Sequence, residues 1–354
     1  MKRHSNMRKK LLLLFWLFTA AVQVSLAQRY STYGVGFYNL ENLFDTVHDP
    51  GKSDYEFLPD GRYHWDEKKY THKLRNMSKV LSEMGTDELP DVGCAVIGVA
   101  EVENAHCLED LCNQPRLKER NFKFCHIEGA DQRGIDCALL YNPALFKVRS
   151  VNLVPYKYER KEDRGRSTRG FLTVSGTLAD EHVTVIVCHW PSRGSDSYYR
   201  ELAGRQVRVL KDQLQKEEPN VKLIIMGDMN DDPHNRSMAE ELGARRDIKK
   251  VKAGGLYNPW WKTHDQGIGT LTYKDKWNLF DQIVVNYNLL NKDGSGKGYK
   301  TLKFKSHQIF RRDYLFETEG RHKGNIKRTF AGSKWLDGYS DHLPTVIYLM
   351  KEKK

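Results

Sequence analysis

The chain has 354 residues, of which 39% are hydrophobic and 29% charged, and its formal net charge is +11 at pH 7. It contains no internal repeat or low-complexity segment, and its six cysteines show neither a zinc-knuckle nor a disulfide-scaffold spacing. These features exclude a repeat protein and a small disulfide-stapled domain, and they leave room for a large hydrophobic core.

The first 27 residues predict a secretory signal. Five basic residues precede the apolar run "LLLLFWLFTAAVQVSLA", and Ser25 and Ala27 fit a small-x-small cleavage site. We expect cleavage after Ala27 and export of residues 28–354 to the periplasm or the medium. The alternative is an uncleaved anchor, for which about 17 apolar residues are few. Cleavage removes five of the 57 basic residues and none of the 46 acidic ones, which leaves a net charge of +6. An exported chain could form a disulfide between two of Cys107, Cys112 and Cys125, and the sequence does not decide whether it does.

Apolar runs and alternating patterns predict many strands and few helices. The predicted strands are 33–39, 93–101, 122–128, 135–142, 146–154, 170–178, 183–190, 222–228, 279–286 and 345–350. Helical periodicity appears at 66–84, 105–118 and 196–216. Several strands are apolar throughout, so both of their faces are covered. This order favours two packed sheets with helices outside over a doubly wound sheet.

Polar side chains stand at the ends of many predicted strands, as in "KLIIMGDMNDDP" at 222–233. Each residue alone is ordinary, because strand ends carry solvated acids, structural histidines and turn asparagines. Together they supply oxygen ligands for a hard cation and imidazoles for proton transfer. The residues concerned are Asn39, Glu101, His189, Asp228, Asn230, Asp281, Asp341 and His342.

Six segments carry a resemblance to a known family: "FYNLENL", "IGVAEVEN", "VCHWPSR", "MGDMNDDP", "LFDQIVV" and "SDHLP". In this order they resemble the endonuclease/exonuclease/phosphatase superfamily, the fold of deoxyribonuclease I, over about residues 33–350. "FYNLENL" and the tryptophan after His189 are similar to its exported bacterial branch. The resemblance implies an α/β fold, a four-layer αββα sandwich of two mixed sheets, formed by one domain over residues 28–354.

The resemblance also implies a metal site and a reaction. Glu101 matches the metal-binding glutamate, Asn39 lies beside it, and Asp341 matches the aspartate on the opposite wall. The implied metal is Mg²⁺, with Mn²⁺ as the alternative. The implied enzyme is a Mg²⁺-dependent phosphoesterase, in which a bound cation neutralises charge on the phosphate.

The remaining matches assign the proton transfers. His342 matches the general base and Asp281 its carboxylate partner. Asp228 and Asn230 match the pair that orients the phosphate and the attacking water. His189 matches the second catalytic histidine, which donates a proton to the leaving group or binds a phosphoryl oxygen.

Further residues are candidates for substrate contact or support. Asp136 either supports His189 or is an ordinary strand-edge acid. Arg193 follows His189 by four residues and could contact phosphate. Arg164, Arg166 and Arg169 of "EDRGRSTRG" could also contact phosphate, and the alternative for Arg164 and Arg166 is a solvated basic loop.

The fold does not select the substrate. We expect nucleic acid, because of the net charge, Arg193 and the pair Trp260 and Trp261, which would stack on bases or simply pack. One alternative is a phosphoinositide or sphingomyelin-type phosphoesterase, although "GTLTYKDKWNLF" before Asp281 lacks the "PAWCDR"-type motif of phosphoinositide phosphatases. Another alternative is a catalytically inactive binding module. We expect a monomer without a stable membrane span after signal cleavage.

Overall fold

The computed structural model describes residues 29–353 apart from 274–275, 293–295 and 321. The predicted signal segment, 1–27, therefore lies outside the described residues. Within the described part of the chain, no helix combines the length and the apolar character needed to cross a bilayer. All six cysteines lie in the described part and are unpaired.

Two mixed sheets form the centre of the fold, with strands and helices numbered here in chain order. The first sheet contains, in spatial order, β14 (Lys303–Ile309), β17 (Thr345–Glu352), β1 (Tyr30–Leu43), β2 (Cys94–Val102), β4 (Asp136–Tyr141) and β3 (Lys123–His126). The second contains β5 (Phe146–Val154), β6 (Phe171–Leu178), β7 (Glu181–His189), β8 (Lys222–Asp228), β13 (Asp281–Asn286), β10 (Leu256–Tyr257) and β9 (Ala244–Arg245).

Helices and two small hairpins surround these sheets. The helices are α1 (Glu67–Glu83), α2 (Ala105–Asn113), α3 (Pro115–Glu119), α4 (Ser197–Glu217) and α5 (Trp261–Asp265). The hairpins pair β11 (Leu271–Tyr273) with β12 (Lys276–Asn278), and β15 (Phe330–Ala331) with β16 (Lys334–Trp335).

Side chains that alternate along the central strands define the layers. On β1, Val35 and Phe37 join the core between the two sheets, while Tyr38 and Leu40 join a second core with α1, α2 and α3. A third core packs Leu202 and other apolar residues of α4 against the far face of β7 and β8. Since the central strands are buried on both faces, their sequences are continuously apolar. The predicted four-layer sandwich is confirmed.

The predicted helix at 105–118 is two helices. Asn104 caps the first, because its side chain accepts a hydrogen bond from Cys107 N at 3.0 Å. Gln114 is extended, with ψ 139°, and Pro115 begins the second helix. A proline disfavours helical geometry in the preceding residue, so the break follows from the sequence. The other two predicted helices match α1 and α4 within one residue at each end.

One long strand, β14, has no counterpart in the sequence prediction. Its segment "KFKSHQI" alternates irregularly, with a register shift between Phe304 and Ser306, and only Phe304 is fully buried. The strand lies at the edge of the first sheet and pairs only with β17. An edge strand with mixed side chains lacks the apolar signal that identified the central strands.

We expect His307 of β14 to make the fold sensitive to acid. Its ring lies against Trp260, with centroids 4.9 Å apart, and burial lowers its pKa to about 4. The unfolded chain, with an ordinary histidine pKa near 6.5, binds the proton more readily. The contribution of the neutral ring is therefore complete above pH 6.5 and is lost as the pH falls towards 4, by about 2 kcal/mol at pH 4.5.

The test compares urea unfolding at pH 7.5 and pH 4.5 for the wild type and for His307→Gln. The variant should lose less free energy of unfolding between the two pH values, by about 2 kcal/mol. His106→Gln, an exposed histidine on α2, is the control and should behave like the wild type. An identical pH dependence in His307→Gln and the wild type would contradict the assignment.

Candidate active site

Strand direction brings the polar strand ends to one edge of the two sheets. β1 runs parallel to β2, and β7 runs parallel to β8 with His189 paired to Asp228. β13 is antiparallel to β8 and begins at this edge, where Asp281 pairs with Asp228. β17 also begins there, just after the segment with Asp341. The edge holds a cavity of about 450 Å³.

Six of the eight strand-end residues line this cavity: Glu101, His189, Asp228, Asn230, Asp341 and His342. The other two, Asn39 and Asp281, are fully buried behind it. The structure therefore brings together all eight residues that the sequence placed at strand ends.

Local backbone geometry turns two of these side chains into the cavity. Glu101 and Asn230 have φ of 61° and 50°, in the left-handed region that costs a non-glycine residue about 1–3 kcal/mol. Glu101 lies at a register shift between β2 and β4. Beside Asp228, Gly227 allows β8 to approach β7, because a Cβ there would lie 2.2 Å from the carbonyl oxygen of Cys188.

A buried pair forms the candidate base. His342 Nδ1 lies 2.7 Å from Asp281 Oδ2, and both residues are buried. If Nδ1 donates to this carboxylate, the lone pair of Nε2 is left on the cavity side. Burial opposes protonation of His342, but the carboxylates of Asp281, Asp228 and Asp341 outweigh it and raise its pKa well above the usual value.

Carboxylates and an imidazole form a candidate metal centre. The ligand atoms of Glu101, His189 and Asp228 lie within 4.8 Å of one another. His189 Nε2 is 3.6 Å from Glu101 Oε1 and 3.7 Å from Asp228 Oδ2. Burial, with Asp281 and Glu101 nearby, raises the pKa of Asp228 to about 7. Oxygen donors and one imidazole fit a divalent cation, which would relieve the repulsion that burial intensifies.

Asn39 does not present a ligand atom to this centre, contrary to the sequence prediction. Its Oδ1 accepts a hydrogen bond from Glu41 N at 2.9 Å. Its Nδ2 donates to Glu101 Oε1 at 3.2 Å and to Asp228 Oδ2 at 3.1 Å. A backbone N–H can only donate and carboxylates here accept, so this orientation satisfies all three partners. Asn39 therefore ties the two carboxylates together.

Asp341 is held by a charge cluster that the sequence did not reveal. Arg328 donates from Nη2 to Asp341 Oδ2 at 2.8 Å and from Nε to Glu41 Oε1 at 3.1 Å. Glu41 also accepts from Thr329 N at 2.7 Å, and burial raises its pKa to about 7. The buried Lys73 of α1 donates to Thr329 Oγ1 at 2.7 Å, which fixes the segment that carries Arg328.

His189 is neutral and has no carboxylate partner on Nδ1. Burial first, and then the positive charges of Arg169 and Arg133, lower its pKa well below the usual value, and Nδ1 has no hydrogen-bond partner. The prediction that Asp136 supports His189 is wrong, because Asp136 Oδ2 instead lies 3.0 Å from His126 Nε2.

Arg169 lines the cavity, but its hydrogen bonds face the protein. It donates to the carbonyl oxygens of His189 at 3.1 Å and Trp190 at 3.2 Å, and to Asp131 Oδ2 at 3.0 Å. These contacts fix the end of β7 and so position the His189 ring. Phosphate contact by Arg169 remains a prediction.

Two other sequence predictions are corrected. Arg193 is not among the residues that line the cavity; it donates to Asp232 Oδ2 at 2.8 Å and to Asn230 O at 3.1 Å, and it lies over the Phe280 ring. It therefore holds the loop after β8 instead of facing a phosphate at the site. Trp260 is fully buried and donates to Ile283 O, so it packs in the core and cannot stack on a base.

The fold and the site together define a class of protein: a phosphoester hydrolase of the deoxyribonuclease I-like fold, with acidic clusters suited to a divalent cation. The model of the Endonuclease/Exonuclease/phosphatase family matches residues 34–351. The chain belongs to this family, whose members generally depend on divalent metals. No curated protein matches the sequence.

Solved structures share the fold at low sequence identity. A humanized Danio rerio TDP2 is 14% identical, with a TM-score of 0.51, and the match covers 90% of this chain and 98% of that one. ANGEL2, a 2′,3′-cyclic phosphatase, is 13% identical, with a TM-score of 0.58 and coverage of 91% and 95%. A mannosyl-6-phosphatase of Bacteroides thetaiotaomicron VPI-5482 is 13% identical, with a TM-score of 0.53 and coverage of 90% and 99%.

We expect Glu101 to be required for metal binding. Titration of the mature protein with Mn²⁺ should show a site whose affinity falls at least about 10-fold in Glu101→Gln, because the variant removes a charged oxygen ligand. Mg²⁺ should raise the melting temperature of the wild type, and excess chelator should reverse this. Glu109→Gln, an exposed glutamate on α2, is the matched control. Unchanged Mn²⁺ affinity in Glu101→Gln would rule out this centre.

The variant Asn39→Asp tests whether Asn39 acts as a hydrogen-bond donor or as a metal ligand. Asn39→Asp places a third carboxylate against Glu101 and Asp228 and removes two hydrogen bonds. In chelator, the variant should lose at least about 2 kcal/mol of unfolding free energy. Mg²⁺ should then raise its melting temperature more than that of the wild type. Asn152→Asp, at an exposed position on β5, should melt like the wild type, and equal melting of Asn39→Asp in chelator would contradict the donor role.

Proposed function

We propose that the protein is an exported, monomeric, metal-dependent phosphodiester hydrolase that acts on nucleic acid, with residues 28–354 as one domain. The observation that carries this proposal is the buried His342–Asp281 pair, whose Nε2 shares one cavity with Glu101 and Asp228. Such a pair suits the removal of a proton from an attacking water. Support for an anionic substrate comes from the cationic side chains of Arg133 and Arg166 on the cavity wall.

We assign the following roles in the reaction to the side chains of the site. Asp281 holds His342, and a cation on Glu101 and Asp228 would offset the carboxylate charge that favours the protonated ring. Nε2 of the neutral ring then takes the proton of a water that attacks phosphorus. Asn230, which donates from Nδ2 to Trp190 O at 3.0 Å, lies beside Asp228 at the position where the phosphate would rest. Where Nε2 carries the proton and does not bind the cation, neutral His189 can donate a hydrogen bond to an oxygen of the phosphate. A Mg²⁺ or Mn²⁺ ion held by Glu101 and Asp228 would supply Lewis-acid neutralisation of the phosphoryl charge.

A phosphomonoester of a small hydroxylated compound is a second candidate substrate. The cavity wall carries the hydroxyls of Ser167, Thr168, Ser192 and Ser195. Its aromatic side chain, Tyr158, lies under the Arg166 guanidinium at 4.8 Å, so that face is covered. A wall of this kind favours hydrogen bonds to hydroxyl and phosphate oxygens over stacking on a base.

The lipid alternatives have less support. Leu271 and Pro191 are the aliphatic side chains on the described cavity wall, and among the exposed large hydrophobic residues Ile268 and Tyr273 lie in the same segment as Leu271. A lipid phosphoesterase would be expected to present a continuous apolar surface near its site. A catalytically inactive binding module would retain ligand binding after loss of His342 and would turn over no substrate.

His342→Ala should lower kcat at least about 100-fold, because a general base contributes about 10²–10⁴-fold. The measurement uses Mg²⁺ or Mn²⁺ with a panel of plasmid DNA, RNA, sugar phosphates, phosphoinositides and sphingomyelin. His106→Ala, which alters an exposed histidine on α2, should keep full activity.

Cleavage of a lipid or a sugar phosphate without cleavage of DNA or RNA would overturn the nucleic-acid proposal alone. Full turnover by His342→Ala would overturn the mechanism. Absence of turnover on the whole panel would favour the binding module.

A further inference from the structure

Part of the cavity wall carries cationic and hydroxyl side chains that the proposed reaction does not use. It is formed by Arg133, Tyr158, Arg166, Ser167, Thr168 and Ser192, and it is called the outer wall here. The carboxylates of Glu101, Asp228 and Asp341 line the same cavity. We propose that the outer wall binds a second phosphate group of the substrate, in addition to the phosphate that is hydrolysed. This proposal rests on the proposed phosphoester hydrolysis and specifies its substrate.

Arg133 supplies an uncompensated charge next to the reaction centre. It lies between β3 and β4, it is exposed, and it has no carboxylate within ion-pair distance among the described residues. Its Nη2 donates to the side-chain oxygen of Asn42, whose backbone N donates to Glu101 Oε2 at 3.0 Å. Two hydrogen bonds therefore connect the guanidinium to the carboxylate proposed to hold the metal.

Arg166 supplies a second, more rigid guanidinium, whose charge is paired with the buried Asp163. Its guanidinium lies over Tyr158 at 4.8 Å and Tyr199 at 5.1 Å, and its Nη1 donates to Asp163 Oδ1 at 2.6 Å. These contacts use Nη1 and one face of the group, whereas nearly half of the side chain is exposed. A guanidinium held in this way loses little entropy when it binds an anion.

Asp131, an acidic residue of the cavity lining, does not cancel the charge of Arg133. Asp131 is buried, and its Oδ2 accepts from Arg169 Nη1 at 3.0 Å and from Thr168 Oγ1 at 3.1 Å. Its charge is therefore compensated by Arg169. The outer wall keeps two guanidinium groups and several hydroxyls, which are the donors that recognise phosphate oxygens.

The geometry favours a second phosphate on the same molecule. The scissile phosphate must reach His342 and Asn230, which lie beside the carboxylate of Asp228. A volume of about 450 Å³ is that of a site for a small molecule, so one ligand can extend from the carboxylates to the outer wall. The second phosphate could belong to the next nucleotide of a chain or to a small bisphosphorylated compound.

The test uses two matched pairs of ligands with Mg²⁺. One pair is the dinucleotide dTpdT with and without a 5′-phosphate, and the other is fructose 1,6-bisphosphate with fructose 6-phosphate. In the wild type, the member with the extra phosphate should have a kcat/KM at least about 10-fold higher in one pair, the size of one or two charge-assisted hydrogen bonds. The pair that responds identifies the source of the second phosphate.

Arg133→Gln/Arg166→Gln should bring this ratio close to one. Lys161→Gln/Arg164→Gln removes the same charge from exposed positions of the neighbouring loop outside the cavity and should keep the ratio. If the double variant does not fold, Arg133→Gln alone should lower the ratio at least about 3-fold. A ratio near one in the wild type, or a ratio that survives in the double variant, would overturn the proposal.

A binding measurement tests phosphate recognition by the outer wall independently of the proposed hydrolysis. Calorimetric titration of His342→Ala with the same four ligands measures affinity without turnover. Tighter binding of the bisphosphorylated member, lost when Arg133 and Arg166 are also replaced, supports the outer wall even if the wild type hydrolyses none of the four. Equal affinity within a pair, or no binding of any of them, overturns it.

Discussion

The constraint on which the site depends is the repulsion between carboxylates that share one buried strand edge. Glu101, Asp228 and Asp281 meet there within a low-dielectric environment in which like charges interact strongly. Hydrogen-bond donors at the site reduce this repulsion. Asn39 donates to Glu101 and Asp228, and His342 pairs with Asp281. Burial, together with the repulsion that these donors leave uncompensated, raises the pKa of Asp228 to about 7, so this carboxylate can gain either a proton or a cation.

The pairing of the strands holds these carboxylates close together at one edge of the sheets. Parallel neighbours β1 and β2, and β7 and β8, end at the same edge, while β13 and β17 begin there. Tight packing of apolar side chains between the sheets holds those ends at fixed separation. The apolar core thus supplies the rigidity that carboxylates and imidazoles need to stay in reacting positions against their own repulsion.

The sequence was informative wherever one physical cause dominated. Buried strands had to be apolar and had to end in exposed or functional polar groups, which located Glu101, Asp228 and His342. Prediction from the sequence failed where a side chain can reach several possible partners. Arg193 reaches back to Asp232, and Asp136 pairs with His126. The cluster of Glu41, Lys73 and Arg328 joins residues far apart in the chain, and nothing local in the sequence marks such a contact.

The net charge of the chain likewise does not show where its free positive charges lie. The chain has a formal net charge of +11, yet several of its arginines are committed to carboxylates or carbonyl oxygens, as Arg169 and Arg193 are. At the site, carboxylates and the guanidinium groups of Arg133 and Arg166 line different parts of one cavity wall. An ester with negative charge at both ends complements this polarity only when a cation covers the carboxylates, because otherwise the scissile phosphate meets like charge. Substrate and metal binding should therefore be mutually reinforcing, as linkage requires of two ligands that stabilise the same arrangement.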